Sequence, residues 1–420
     1  MVDNKTRNLI EETIRQLDNI MNVTPTQMAK DVVKKAIGRS VRTKDPMFWP
    51  GGMLMLGLVT SFGVLEEEDE LYGRAVKALN DHLKLWENKY DGRMDFIDDT
   101  LAGYDIIRLY EKSHDSAHRE IIDKINQFVM DAPTDFAGSI IYNPGKGNNY
   151  IFADGIGQST LFMSAYIRMK MIVQDILYHG QNNSDVHYYS ESDYLGEIAK
   201  LYLQFMNFYR YGRDKKSGLI YHGYSLGERP DIDYDEIKTN AAKTVKVFSA
   251  EHECNKQGLL GWGRAYGWLM MGLSGGASLE KYLTRKGKEV ALKAEFSLVP
   301  WFMELCDIAM EYQREDGGWS WQIQAVEGHI DTSATGMIAF SLAKGIYDGV
   351  IEKDSELYDR VVKCLKRAVD CMMAHTVDGV VGDALSSCDD FGVHYQSYGS
   401  FPWGQGAVLS AIAEIAGIEL

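Results

Sequence analysis

Six stretches of the chain resemble one another: Trp49–Leu58 (WPGGMLMLGL), Asp98–Tyr110 (DDTLAGYDIIRLY), Asp154–Tyr166 (DGIGQSTLFMSAY), Trp262–Leu273 (WGRAYGWLMMGL), Asp331–Ile346 (DTSATGMIAFSLAKGI) and Trp403–Ile415 (WGQGAVLSAIAEI). Each opens on Trp or Asp, passes through small residues and becomes an apolar run with few charges. A helix that is apolar all round must be buried. Ahead of each lies a segment of the other kind, charged and amphipathic at helical spacing: Asn8–Gly38 (broken near Thr24–Pro25, where a second helix is expected to start), Glu66–Trp86, Ala117–Met130, Asp193–Tyr211, Leu298–Gln313 and Ser355–Ala374. Outer helix followed by inner helix, six times over, predicts an all-α fold. An αα-hairpin repeated and closed into a ring, an (α/α)6 barrel, is the simplest way to bury six inner helices. Such a ring gathers the first residues of all six at one mouth.

At 420 residues the chain exceeds the usual size of one domain. No Pro/Ser-rich or low-complexity linker interrupts the alternation, so residues 1–420 are expected to form a single barrel. A net charge of −16 argues against nucleic acid or an anionic membrane surface as partner, since both need a basic face. It does not argue against a small anionic ligand, because one buried Arg can reverse the local field. The N-terminus (MVDNKTRNLIEETIRQL) has no apolar signal core and no run is long enough to span a bilayer. The five cysteines are scattered, with no CxxC pair, and read as reduced thiols of a cytoplasmic protein.

The residues suited to chemistry cluster at the inner starts. Asp98, Asp154 and Asp331 stand where a side-chain oxygen can cap a helix. They also stand where carboxyls of a ring converge, and Asp154 follows the aromatic run Tyr150–Phe152, a setting that favours a raised pKa and proton donation. Arg264, in WGRAYGW, is an Arg among glycines on a buried helix and needs a buried partner: either a structural Asp or the carboxylate of a ligand. Trp262 offers a face for a sugar ring. His222 lies between two tyrosines in the long connection from Tyr211 to Trp262, which is expected to wall the mouth. A second connection is read over Ser274–Ala294, and short hairpin pieces over Val186–Tyr189 and Leu219–Tyr224. His114 and His118 have metal-pair spacing on what reads as a solvated face with His82 and His375, and His329 and His394 are second-rank mouth candidates. QREDGGW, Gln313–Trp319, is similar to the stitching motif of squalene–hopene-type cyclases, but it occurs once and without their acid motif.

In order along the chain, Asp98…Gly103, Asp154-Gly155, Tyr221-His222-Gly223, Trp262-Gly263-Arg264…Gly267-Trp268, Asp316-Gly317-x-Trp319 and Asp331-Thr332-Ser333-Ala334 resemble the unsaturated rhamnogalacturonyl hydrolases (glycoside hydrolase family 105) and their relatives, the unsaturated glucuronyl hydrolases (family 88). The resemblance runs from Trp49 to the C-terminus. It implies an (α/α)6 barrel that removes a 4,5-unsaturated uronic acid from the non-reducing end of a lyase-generated oligosaccharide by hydrating the C4=C5 double bond. Carried over by motif, Asp154 is the general acid/base and Asp98 the second aspartate, which holds the sugar and tunes its partner. Adjacent Asp99 is the competing choice. His222, Trp262 and Arg264 line the pocket and bind the uronate, and Trp49, Trp268 and Trp319 complete the expected substrate-binding set. No metal or organic cofactor is implied. The expected partner is a small oligosaccharide, with a homo-oligomer left open. Tyr266 stands where the family usually has Asn and is expected to add bulk at the mouth, and the insertion Glu228–Gly258 to remodel the pocket or build a subunit contact. The alternatives are an inverting glycosidase, an epimerase using His222 with His329 or His394, and a saccharide- or protein-binding toroid without turnover.

Overall fold

In a computed structural model the described residues are 3–22, 32–33, 36, 45–144, 149–180, 192–227, 254–285, 296–387 and 396–418. Among them are twelve α-helices. The outer ones are α1 (Asn4–Asn19), α3 (Glu70–Tyr90), α5 (Ser116–Asp131), α7 (Ser192–Tyr211), α9 (Leu298–Glu311) and α11 (Glu356–Ala374). The inner ones are α2 (Trp49–Ser61), α4 (Thr100–Ser113), α6 (Ala153–Gly180), α8 (Gly263–Arg285), α10 (Thr332–Tyr347) and α12 (Pro402–Ala416). Each inner helix packs on the next, α2 on α4, α4 on α6 and so round to α12, which packs back on α2 and closes the ring. The outer–inner alternation read from the sequence is the observed order. The second helix expected from Thr24–Pro25 falls mostly outside the described residues, as does Val186–Tyr189.

The outer helices begin where short polar side chains cap them. Asp3, Asp69, Asp115 and Ser355 each accept from a backbone N–H of the first turn of α1, α3, α5 and α11. The inner helices carry a different signature, with nearly every residue of α2, α10 and α12 buried. They also approach one another very closely. A Cβ added at Gly406 of α12 would lie 1.9 Å from the Met53 carbonyl oxygen of α2, and one at Gly157 of α6 would lie 2.1 Å from that of Trp268 on α8. At these two seams only hydrogen fits between the backbones.

The connection expected over Ser274–Ala294 is helical as far as Arg285. Its small residues are packing residues: Gly275 faces Leu161 and Gly276 faces Phe205, so α8 continues down the barrel beside α6. Strands add a small sheet at the opposite end. β1 (Tyr150–Phe152), β2 (Tyr221–Leu226) and β3 (Cys254–Leu260) run antiparallel in that order, with Phe152 opposite Gly223. The hairpin piece expected near Leu219–Tyr224 is thus the central strand. The insertion Glu228–Gly258 contributes the start of β3, and its remainder lies outside the described residues. Two further two-stranded ladders are β4 (Thr376–Val377) with β5 (Val380–Val381), and β6 (Ala384–Leu385) with β7 (Tyr398–Gly399).

Six inner helices pointing the same way put six C-terminal dipole ends together at the floor of the barrel. Cations meet them there. Lys344 of α10, all but buried, donates to Asp348 at 2.7 Å, and Arg168 of α6 lies 3.6 Å from the same carboxylate. Burial opposes the charge on Asp348, yet Lys344 and Arg168 outweigh it and hold the carboxyl below its ordinary value. Burial likewise opposes the charge on Lys344, and Asp348, Tyr104 and Glu414 raise it. No helix among the described residues is long and apolar enough to cross a membrane.

Two tests follow from the packing. Gly406→Ala should destabilise by about 1–3 kcal/mol through overpacking, whereas Gly73→Ala, on outer helix α3 with open space around it, should stabilise by about 0.4–1 kcal/mol. Equal effects in urea denaturation would refute the account of the seams. Lys344→Met should cost about 3 kcal/mol or more by stranding a buried carboxylate. The carboxyl of Asp348 is depressed on folding, so its contribution is present above pH ~4 and lost as pH falls through the folded value. The variant's stability should therefore decline less between pH 5 and 3 than that of the wild type.

Candidate active site

Asp154 is the second residue of α6, delivered there by β1, and its Oδ2 lies 2.9 Å from His222 Nε2 on β2. The β1–β2 pairing makes that meeting possible, because Phe152 and Gly223 face each other across the ladder. The imidazole is held on two sides. It stacks on Phe152 with centroids 4.7 Å apart and meets Trp262 edge to face at 4.3 Å. Asp154 and its partner are each largely but not wholly enclosed, with side-chain exposures of 14% and 12%, so a ligand can reach them.

Asp98 closes the other side. Tyr142 donates its hydroxyl to Asp98 Oδ2 at 2.5 Å, and Gln158 donates its amide to Oδ1 at 3.1 Å. Gln158 is four residues beyond Asp154 on α6, on the same helix face, so one helix carries both Asp154 and the amide that holds Asp98. Asp99 is occupied differently. Its Oδ2 accepts the backbone N–H groups of Asp95 and Phe96, and burial, then Asp45 and Asp98, push its carboxyl well above the ordinary range. Asp99 thus fastens the turn ahead of α4.

Arg264, on the first turn of α8, is only 2% exposed. Its Nη1 donates to the Leu385 carbonyl at 2.9 Å and its Nη2 to that of Ser386 at 3.1 Å. Three indoles surround the guanidinium, with Trp262 at 4.8 Å, Trp403 at 5.8 Å and Trp49 at 5.9 Å from its centre. No carboxylate pairs with it among the described residues. Among the described residues the cation is held by carbonyls and aromatic faces, which stabilise its charge without neutralising it. The Trp262 Nε1–H beside it is buried and meets no acceptor among the described residues.

The expected residues divide into two groups. Asp154, His222, Trp262, Arg264, Trp49 and Asp98 face one mouth, and Trp268 lies just beneath it, edge-on to Trp49 at 6.2 Å. Trp319 stands apart. It is fully buried, its indole donates to the Ala309 carbonyl at 2.8 Å, and Gln313 of the same motif donates to Gly317 and Cys364. That motif stitches α9 to α11. Tyr266 does not crowd the mouth either. Its hydroxyl reaches outward to the Leu305 carbonyl of α9 at 2.8 Å, because two residues of rotation on α8, about 200°, point it away from Arg264. Asp331 is a cap, accepting from the Ser333 N–H at 3.0 Å. His118 pairs with Asn80 and Ser113, His82 with the Pro46 carbonyl, and His375 with Asp383. His329 stacks on Tyr398 at 3.8 Å, so the two histidines of the epimerase reading have separate partners. His394 lies outside the described residues. Trp403, Tyr142 and Gln158 were missed, although Trp403 opens the sixth inner stretch just as Trp49 opens the first.

No curated protein matches the sequence. Among solved structures, a possible member of family GH105 from Salmonella enterica serovar Paratyphi A superposes with a TM-score of 0.64 at 15% identity, covering 97% of this chain and 93% of that one. A family 105 glycoside hydrolase from C. acetobutylicum gives 0.59 at 18%, covering 93% and 98%. An unsaturated glucuronyl hydrolase specific for heparin gives 0.61 at 13%, covering 99% and 98%. At such identities the likeness establishes the (α/α)6 barrel. The sequence profile of Glycosyl Hydrolase Family 88 matches residues 18–418, nearly the whole chain, and the protein is a glycoside hydrolase belonging to that family.

Proposed function

We propose that the protein removes a 4,5-unsaturated uronic acid from the non-reducing end of lyase-generated oligosaccharides of the pectin or rhamnogalacturonan type, by hydrating the C4=C5 double bond with Asp154 as general acid/base. The observation that carries this reading is Arg264, a buried guanidinium without a carboxylate partner among the described residues, on the same mouth as the Asp154–His222 pair. An anionic sugar supplies the missing charge, and a carboxylate is the planar acceptor a guanidinium fits best.

In the proposed sequence the uronate carboxylate docks against Arg264 in the indole cage, its ring over Trp262. Asp154, in its acid form, gives its proton to C4 as the double bond breaks and positive charge grows at C5. Water adds at C5 and Asp154, now a carboxylate, takes the proton that water loses. His222 Nε2, 2.9 Å away, donates to that carboxylate and steadies the basic half of the cycle. The C5 hemiketal then opens by breaking its bond to the ring oxygen, and the hemiacetal left at C1 collapses and releases the aglycone. Asp98, fixed by Tyr142 and Gln158, accepts from sugar hydroxyls.

Asp154→Asn should lower kcat by roughly 10²–10⁴-fold with little change in binding. The reaction is followed as loss of ultraviolet absorbance of the conjugated uronate in rhamnogalacturonan, polygalacturonate, ulvan, chondroitin and heparin fragments, and full activity in the variant would rule out the assignment. Fastest loss with a sulfated fragment would move the substrate to the glycosaminoglycan or ulvan branch. Arg264→Met should raise KM by about 10–100-fold, the worth of a hydrogen-bonded contact to a charged group. An unaltered KM would place the carboxylate elsewhere.

A further inference from the structure

We propose that Asp331, at the head of α10, is a positioning residue for Arg264, acting through the main chain of Leu385 and Ser386. The inference rests on the reading that Arg264 receives the uronate. Asp331 is fully buried, and its Oδ1 gathers three donors: the Ser333 N–H at 3.0 Å, the Ser333 hydroxyl at 2.6 Å and the Leu385 N–H at 3.1 Å. The Ser333 contacts are those of a helix cap. The Leu385 contact is not, since it reaches 54 residues along the chain to β6. Leu385 then turns its own carbonyl to Arg264 Nη1 at 2.9 Å and to Trp403 Nε1 at 2.9 Å, and the Ser386 carbonyl takes Arg264 Nη2 at 3.1 Å.

The next residue of α10 fastens the same segment from below. The Thr332 N–H donates to the Asp383 carbonyl at 3.1 Å and its hydroxyl to the Gly382 carbonyl at 2.7 Å. The cap and first residue of α10 therefore hold residues 382–385 at three points, and that strip and the next residue, Ser386, present the two carbonyls that aim the guanidinium. A carboxylate in direct contact with Arg264 would occupy the edge that substrate must use. Asp331 acts through the main chain instead: it holds Leu385 from the N–H side while Arg264 meets it from the carbonyl side. The guanidinium is thus oriented by carbonyls, with no carboxylate touching it among the described residues.

Two substitutions separate the cap from the clamp. Asp331→Ser keeps an oxygen for the Ser333 N–H but is too short to hold the Leu385 N–H, whereas Asp331→Asn keeps an acceptor for both. Binding of D-glucuronate, followed by fluorescence of the indole cage, should weaken about tenfold in Asp331→Ser and stay within about threefold of wild type in Asp331→Asn, with kcat of both near the wild-type value. Binding of neutral methyl glucoside should not change. If Asp331→Ser melts like the wild type and binds glucuronate equally well, or if it lowers kcat and leaves affinity alone, the proposal is overturned. Should that variant fail to fold, Thr332→Val removes the second tie and leaves the cap. It should show the same acid-selective loss in smaller measure, and an unchanged affinity there would equally overturn the proposal. Glucuronate binding by a wild type that turns over no unsaturated fragment would sink the functional reading while leaving the positioning role intact.

Discussion

Closing a ring of six inner helices requires that some neighbours touch backbone to backbone, and much of the architecture follows from meeting that requirement. Gly406 against Met53 and Gly157 against Trp268 are the seams where it is met most tightly. Helices that close leave no room for a side chain between the backbones at those two seams. The ends are where the dipoles sum. At the floor, C-termini meet Lys344 and Arg168, with Asp348 between them. At the mouth, six N-termini supply partial positive charge, the natural surroundings for an anionic ligand. Chemistry is confined to one end by the same parallel arrangement that buries the core.

The sequence revealed the inner helices because their composition is extreme, and it located their starts well because Trp and Asp open them. It was less informative about where they end. α6 and α8 run beyond Tyr166 and Leu273 because charged and glycine-rich residues that look like connections are packed against neighbours: Gly276 sits on Phe205, a contact invisible to local periodicity. Candidate site residues carried by a short motif on an inner start, Asp154 and Arg264 above all, stand out in the sequence for the same reason. Those whose role depends on distant pairing were harder. Nothing near Gln158 in the chain says that it will hold Asp98, and nothing near Leu385 says that its carbonyl will aim an arginine. Trp319 shows the opposite failure, since a motif that looks suited to sugar binding serves to pin α9 against α11.

An acidic protein that takes an acidic sugar must separate its global field from its local one. The net charge of −16 is spread over a surface on which carboxylates more than about 8–10 Å from the ligand are screened by physiological salt. Arg264, enclosed by three indoles and only 2% exposed, is screened far less. A single buried cation close to a carboxylate can therefore dominate many surface anions, provided it is not already neutralised. Its two hydrogen bonds among the described residues go to carbonyls, which fix direction and leave the charge in place. The aromatic faces exclude water while still favouring a cation. In the proposed mechanism the same enclosure serves the reaction, since Asp154 would hold a proton before the step and His222 would steady the carboxylate after it. Both need a site that is dry enough for such interactions to be strong and open enough for one sugar to enter.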